Sequence, residues 1–409
     1  MCARRLAVSE IEQAVRALGV EPLTEAGLIH HIHPLFSRVL RHSAGEIYLA
    51  NHSLGRPLDR TAQDVATGLD GWYQRLDEVW EDWQEAIQTF RERVAQLLQA
   101  SRPDSIAPKT SAGQALRAVL NCYDQKIRVI TTRGEFNSID FILKVYAQRD
   151  RIALTFVEPD QEGHYHLEDV LTAMGEHTDL VVISMVMFVT GQRLADLQQL
   201  TRAAQERGAR VLVDLYHAVG VFPVEVEALG ADFAIGGCYK YLRGGPGACW
   251  LYLHPRHLDG SLVSLDTGWF AQEAPFAFQR PSSPRFARGG NAFLESTTAI
   301  LPFYQARAGL DLTLALGVER LRTYSLAQLS CLRGRLAGHA IKVFGSLIDC
   351  GAFVAIPHPE AAKLSQRLAA QGVRTDAREG YLRLGPDILN TEEELDTVVD
   401  RLVTVWEGF

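Results

Sequence analysis

The residues of this chain best suited to chemistry are an aspartate and a lysine, each placed at the end of an apolar run. Val211-Leu212-Val213 leads into Asp214, and His217 stands three residues further on. Residues 231–237 lead into Cys238-Tyr239-Lys240-Tyr241, then Arg243-Gly244-Gly245-Pro246-Gly247 and another apolar run, 248–253. A lysine amine that is partly desolvated and near other cations loses its proton easily and attacks carbonyl carbon. A carboxylate set against a pyridine nitrogen keeps that ring protonated, so the ring can accept electrons. The two together are the equipment of pyridoxal 5'-phosphate (PLP) chemistry, with Lys240 as the Schiff-base lysine and Asp214 as the partner of the ring nitrogen. Each has a plainer reading alone: an exposed lysine after a strand, an aspartate capping a helix, a satisfied core histidine. Their conjunction, with the glycine-rich return, favours the chemical reading.

A phosphate needs donors. Thr110-Ser111-Ala112-Gly113 directly precedes a helical pattern, and free N–H groups at a helix start hold anions. Ser111, Ala112 and Gly113 are therefore candidate cofactor residues, and Ser184, at the end of another apolar run, is a further contact. Phe136 follows a strand pattern where a ring can stack on the cofactor. Arg383, in the alternating segment Tyr381-Leu382-Arg383-Leu384, is either a solvated edge residue or a two-pronged clamp for a carboxylate. The tract His30-His31-Ile32-His33-Pro34 has no Cys, Asp or Glu at ligand spacing, so it is read as a loop and no metal is expected.

These residues need elements to place them. A helix is expected over 9–18, followed by a proline-punctuated loop. Residues 59–100 form a long helical stretch with apolar residues at steps of three and four, divided at Gly71. Trp72, Tyr73, Trp80 and Trp83 at that spacing suit core packing better than an aromatic substrate wall. From 109 to 253 short apolar strands (127–132, 152–157, 180–186, 211–215) alternate with helices (114–121, 138–149, 167–175, 193–207). That order predicts an α/β fold whose central sheet is mostly parallel and covered on both faces. Ligands of such sheets bind beyond the carboxyl ends of the strands, where Asp214 and Lys240 fall. From 297 onward, helices to about 309 and over 318–336, 360–371 and 391–406, with strands at 352–356 and 381–384, predict a smaller α+β domain.

Composition sets bounds. Hydrophobic residues at 47% and charged residues at 22% are those of a globular chain with a large core. A net charge of -8 without a basic run argues against a nucleic-acid partner. No apolar stretch is long enough for a membrane helix, and the first residues lack the apolar core of a signal peptide. Cys2, Cys122, Cys238, Cys249, Cys331 and Cys350 contain no C-x-x-C pair, which fits free thiols in a reducing cytoplasm. No G-x-G-x-x-G follows a strand, which argues against a dinucleotide-binding dehydrogenase.

The motif Val213-Asp214-Leu215-Tyr216-His217-Ala218-Val219-Gly220 and the run Tyr239-Lys240-Tyr241-Leu242 with its Gly-Gly-Pro-Gly resemble the kynureninases, a branch of the class V aminotransferase group of PLP enzymes. Asn51-His52-Ser53-Leu54-Gly55, Thr190-Gly191, Gly268-Trp269-Phe270, Ser296-Thr297 and Tyr381-Leu382-Arg383-Leu384-Gly385-Pro386 are similar to further motifs of that group, so the likeness runs from about residue 46 to the C-terminus. The resemblance implies the fold type I, aspartate-aminotransferase-like PLP architecture, with an N-terminal segment (1–58) packing on the small domain, a large cofactor domain (59–300) and a C-terminal small domain (301–409). It implies Lys240, Tyr239 and Asp214 as catalytic residues, and His217 beside the cofactor. Arg383, with Ser53 and His52, would bind the substrate. Trp269 and Thr297 would reach the phosphate of a neighbouring subunit, which implies a homodimer.

The activity implied is hydrolysis of the Cβ–Cγ bond of L-kynurenine or a ring-substituted relative. Two departures stand out: Phe136-Asn137-Ser138-Ile139 replaces the group's Phe-Pro-Thr/Ser-Asp turn, and residues 73–80 lack the histidine of its ring-contacting loop. Other PLP reactions on an amino acid (transamination, epimerisation, β-elimination, decarboxylation) remain alternatives, as does a non-catalytic binding module. A cysteine desulfurase fits less well, because Cys331 lies in a helical pattern and not on a loop.

Overall fold

The computed structural model describes residues 9–175, 177–406 and 408; Cys2 lies outside them. A seven-stranded sheet forms the centre, in the order Ile106–Lys109, Cys249–Leu253, Phe233–Gly237, Arg210–Asp214, Leu180–Ser184, Ile127–Thr132, Ile152–Val157. The last five of these run parallel, and Cys249–Leu253 pairs antiparallel with both of its neighbours. The expectation of a mostly parallel α/β sheet holds. Its cause is visible in strands such as Leu180–Ser184 and Phe233–Gly237, where every residue is buried. Side chains pointing to both faces meet helices, so the runs are continuously apolar rather than alternating.

The register brings the chemical residues together. Ser184 pairs with Asp214, and Asp214 with Ile235, so two strands end level and the third runs two residues further before the lysine turn. Lys240 follows the third of them in a turn held by Arg243 N–H to the Lys240 carbonyl at 3.0 Å and Gly244 N–H to the Cys238 carbonyl at 2.7 Å.

A second, three-stranded antiparallel sheet is built from Asp376–Arg378, Tyr381–Leu384 and Val354–Pro357. Leu364, Leu368, Leu382, Leu384, Val398 and Leu402 close a core between it and helices Ala361–Ala370 and Glu392–Trp406. Ile47 and Leu49 join that core, and Ile47–Tyr48 pairs in parallel with Val373–Arg374.

Several local expectations differ from the structure. Residues 28–42 are not a loop: Leu28–Ile32 is a π-helical turn, His33–Phe36 a 3-10 turn and Ser37–His42 an α-helix. Leu28, Ile32, Leu35 and Phe36 are buried there, and Pro34 sits in a first turn, where its missing N–H costs nothing. The long helical stretch breaks at Leu76 (φ +48°), not at Gly71, giving Arg60–Arg75 and Trp80–Leu97. Trp72 and Tyr73 are exposed and not core. The helix expected from 193 starts at Leu197, because Arg193 is drawn into a bridge with Val186. The strand Ile106–Lys109 contains Pro108, which weakens its pattern in the sequence. As an edge strand it tolerates the missing donor. Cys331 lies within helix Val318–Gly338, as expected.

Candidate active site

A cavity of about 430 Å³ opens at the carboxyl ends of the central strands. Ser111, Ala112, Gly113, Phe136, Ser184, Asp214, His217, Tyr239 and Lys240 all line it, as do Arg117, Phe188, Tyr216 and Cys249. Nine of the residues singled out from sequence thus converge.

Lys240 is 5% exposed, and its Nζ lies 2.7 Å from His217 Nε2. The rings of Tyr216, Phe136 and Tyr239 surround the amine at 5.3, 5.5 and 5.6 Å. Burial pushes this amine down to about 7. Arg383 acts in the same direction, and Asp214 and Asp376 oppose it. Burial also drives His217 far below its ordinary value, with the charges of Lys240 and Arg383 adding to the effect, so the imidazole is neutral. Its Nδ1 is buried and has no hydrogen-bond partner among the described residues.

Asp214 ends its strand with a carboxylate that accepts the Tyr216 N–H at 2.7 Å. The segment that follows is a turn, and that turn places His217. Burial raises Asp214 to about 6, against the Tyr216 N–H and the Lys240 charge. A cationic ring nitrogen would return it to the charged form. Burial likewise keeps the Tyr239 phenol protonated far above the ordinary range.

Ser111 caps helix Ala112–Leu120 by accepting the Gln114 N–H at 3.1 Å. Ala112 and Gly113 stand in the first turn, whose N–H groups have no carbonyl partner inside the helix. Arg117, one turn along, reaches back so that a Cβ on Gly113 would lie 3.5 Å from its Nη1. Phe136 meets Phe188 edge to face at 5.5 Å.

Sequence reasoning missed Glu135. It is 3% exposed and accepts Ser184 Oγ–H at 2.5 Å, Ser184 N–H at 3.1 Å and Thr132 Oγ–H at 2.8 Å. Burial raises this carboxyl to about 7, against those hydrogen bonds. Its only signal in the sequence was its position next to Phe136. Tyr216 was also missed; its hydroxyl lies 2.9 Å from Cys249 Sγ.

The remaining candidates lie outside the cavity wall. Arg383, Ser53 and His52 cluster beside it. Arg383 Nη1 donates to the carbonyl of Phe188, and Phe353 packs between His52 (4.7 Å) and His217 (5.8 Å). Trp269 Nε1 donates to Thr297 Oγ at 3.2 Å, and neither residue borders the cavity of its own chain.

The site fits PLP on four counts: a buried amine near neutrality, a buried carboxylate at a strand end, a helix start for the phosphate, and an orphaned imidazole nitrogen. Residues 74–344 match the aminotransferase class-V family, and the chain belongs to that family. It is 30% identical over 374 residues to the kynureninase of Bacillus thuringiensis subsp. konkukian, covering 86% of each chain. Among solved structures it is similar to a C-DES variant with glycine covalently linked to its PLP cofactor (TM-score 0.81, 19% identity, 91% of this chain and 98% of that one). It is also similar to the cysteine desulfurase of Thermococcus onnurineus NA1 (TM-score 0.78, 18% identity, 91% and 96%). The fold is that of the PLP-dependent class V enzymes, and PLP is the cofactor. Within that class the chain is a kynureninase-like enzyme.

Proposed function

We propose that this enzyme hydrolyses the Cβ–Cγ bond of L-kynurenine or a ring-substituted kynurenine, releasing an anthranilate and L-alanine. The observation that carries this reading is the 30% identity to a kynureninase across 86% of both chains. Bound PLP supplies an electron sink for the carbanion formed at Cα. Lys240, close to half neutral near pH 7, takes the Cα proton and returns one. Asp214 would keep the ring nitrogen protonated, and Phe136 and His217, which line the same cavity, would hold the ring. The N–H groups of Ala112 and Gly113, with Ser111 and Tyr239, receive the phosphate, and Ser184 is fixed by Glu135. Arg383, with Ser53 and His52, takes the α-carboxylate. Water adds to the γ-carbonyl carbon, the Cβ–Cγ pair of electrons stays with Cβ, and Cβ is then protonated.

The same reading includes a homodimer in the cytoplasm. Trp269 and Thr297 hydrogen-bond to each other and do not line their own cavity, which supports a role at the partner's phosphate. It also includes a division near residues 58 and 300, supported by the pairing of Ile47–Tyr48 with Val373–Arg374. One observation favours a second reading, in which a different amino acid is processed by another PLP reaction. No histidine occurs in residues 73–80, and Tyr73 there is exposed. Incubation with L-kynurenine and 3-hydroxykynurenine separates the two. Release of a fluorescent anthranilate supports hydrolysis; amination of an added keto acid with no anthranilate would establish the second.

A further inference from the structure

The arginine assigned to the substrate carboxylate is already occupied by a carboxylate of the protein. Arg383 is 3% exposed, and its Nη2 donates to Asp376 Oδ2 at 2.8 Å and to Ser53 Oγ at 3.4 Å. Its Nη1 is held by the Phe188 carbonyl, and its Nε is buried without a partner among the described residues. A guanidinium has two edges that can grip a carboxylate with parallel N–H bonds, Nε with Nη2 and Nη1 with Nη2. Each edge uses one of the two N–H groups on Nη2, and that nitrogen already donates to both Asp376 and Ser53.

Asp376 is placed there by register, directly opposite Arg383 in the antiparallel pair. It also has a second cation within reach. Its Oδ1 lies 2.9 Å from Nη1 of Arg378, whose side chain is 53% exposed. Ser53 donates its hydroxyl to Asp376 Oδ2, and His52 Nε2 stands 4.0 Å away with both ring nitrogens buried and without a hydrogen-bond partner among the described residues.

We propose that Asp376 is a resident stand-in for the substrate carboxylate, displaced from Arg383 Nη2 when an α-amino acid binds and then retained by Arg378. The inference rests on the assignment of Arg383 to the α-carboxylate. A buried guanidinium without a counter-charge would be strongly destabilising, so the stand-in keeps the empty subsite folded. It also filters ligands. A carboxylate regains at Arg383 the ion pair that it breaks, whereas an amine without a carboxylate has nothing to exchange. The exchange lowers the affinity for amino acids, and this cost is open to measurement.

The test uses the holoenzyme, with the change in cofactor absorbance reporting binding of L-alanine or of ethylamine, its counterpart without a carboxylate. Arg383→Lys first checks the underlying assignment: it should weaken L-alanine and spare ethylamine, and if L-alanine is unaffected that assignment fails and this proposal falls with it. Asp376→Asn, which keeps the shape and removes the competing charge, should then tighten L-alanine by about fivefold to tenfold and leave ethylamine unchanged. Arg378→Met, at a half-exposed position, should weaken L-alanine by about threefold, because Asp376 loses its alternative partner. If Asp376→Asn weakens L-alanine or leaves it unchanged, Asp376 merely orients Arg383 and the proposal is overturned. Should Asp376→Asn not fold, tighter or unchanged L-alanine binding in Arg378→Met overturns it equally.

Discussion

Lys240 is reactive because water is kept away from it. Burial favours the neutral amine, and three aromatic rings with a neutral imidazole occupy the space where solvent would have stabilised the charge. The rate at which apoprotein takes up PLP should therefore climb as pH passes through about 7 and level off above it. A rate still rising toward pH 10 would mean an ordinary, hydrated lysine. Lys240→Ala should lose the absorbance band of the Schiff base between the lysine and the cofactor, as read in an absorbance spectrum. Glu135 makes a separate prediction about stability. Its folded pKa of about 7 lies above the ordinary 4.5, so the native state holds this proton more tightly than the unfolded chain. Its contribution is fully present below about pH 4.5 and is lost as pH rises through about 7. In Glu135→Gln the fall in apoprotein stability between pH 5 and 8 should shrink by roughly 1–3 kcal/mol, as followed by denaturant unfolding.

At the scale of elements, the lysine turn is clamped between two glycines. A Cβ on Gly55 would lie 2.0 Å from the Lys240 carbonyl oxygen, and one on Gly309 would lie 2.0 Å from that of Leu242. Helix Leu301–Leu316 and the N-terminal segment can therefore press against the turn only where no side chain intervenes. The turn itself puts Arg243 at φ +54°, a left-handed conformation that costs a non-glycine residue about 1 kcal/mol. Asp387 offsets this by pairing with Arg243 at 3.1 Å and, on its other oxygen, with Arg56. Gly309→Ala should push the helix off the turn, weaken PLP binding at least tenfold in an equilibrium titration, and destabilise the fold by about 1–3 kcal/mol. Unaltered PLP affinity in that variant would show that the close approach does not position Lys240.

The whole molecule carries a partly exposed aromatic surface. Trp80 meets Trp83, Trp269, Phe270 and Phe276 at 5.1 to 6.3 Å, and Phe278, stacked on Trp269 at 5.9 Å, is 74% exposed. Exposed aromatic patches of this kind mark interfaces. The proposed dimer makes a sharp prediction. Lys240→Ala and Trp269→Ala chains should each be inactive or nearly so alone. Unfolded together and refolded as an equal mixture, they should recover about a quarter of the wild-type activity, because each mixed dimer assembles one intact site from both chains. No recovery, with mixed dimers demonstrated by mass spectrometry, would show that Trp269 serves its own subunit or none.

The alternating apolar runs and helical periods were enough, from sequence alone, to define the sheet class and its carboxyl-end edge. The residue types at 111–113, 136, 184, 214, 217, 239 and 240 were enough to define the cofactor chemistry. This was legible because strand ends and helix starts are local features, written in contiguous residues. Glu135 beneath Ser184, Arg117 folded back over Gly113, and Asp376 on Arg383 were not legible, because each depends on which strand or turn comes to lie beside which. The helical turns of residues 28–42 were hidden for the same reason, since their apolar residues share a core with distant residues such as Leu312, Leu316 and Leu389. Only the assembled tertiary structure decides such pairings, because the distances that set charge and burial run through space between residues far apart in the chain.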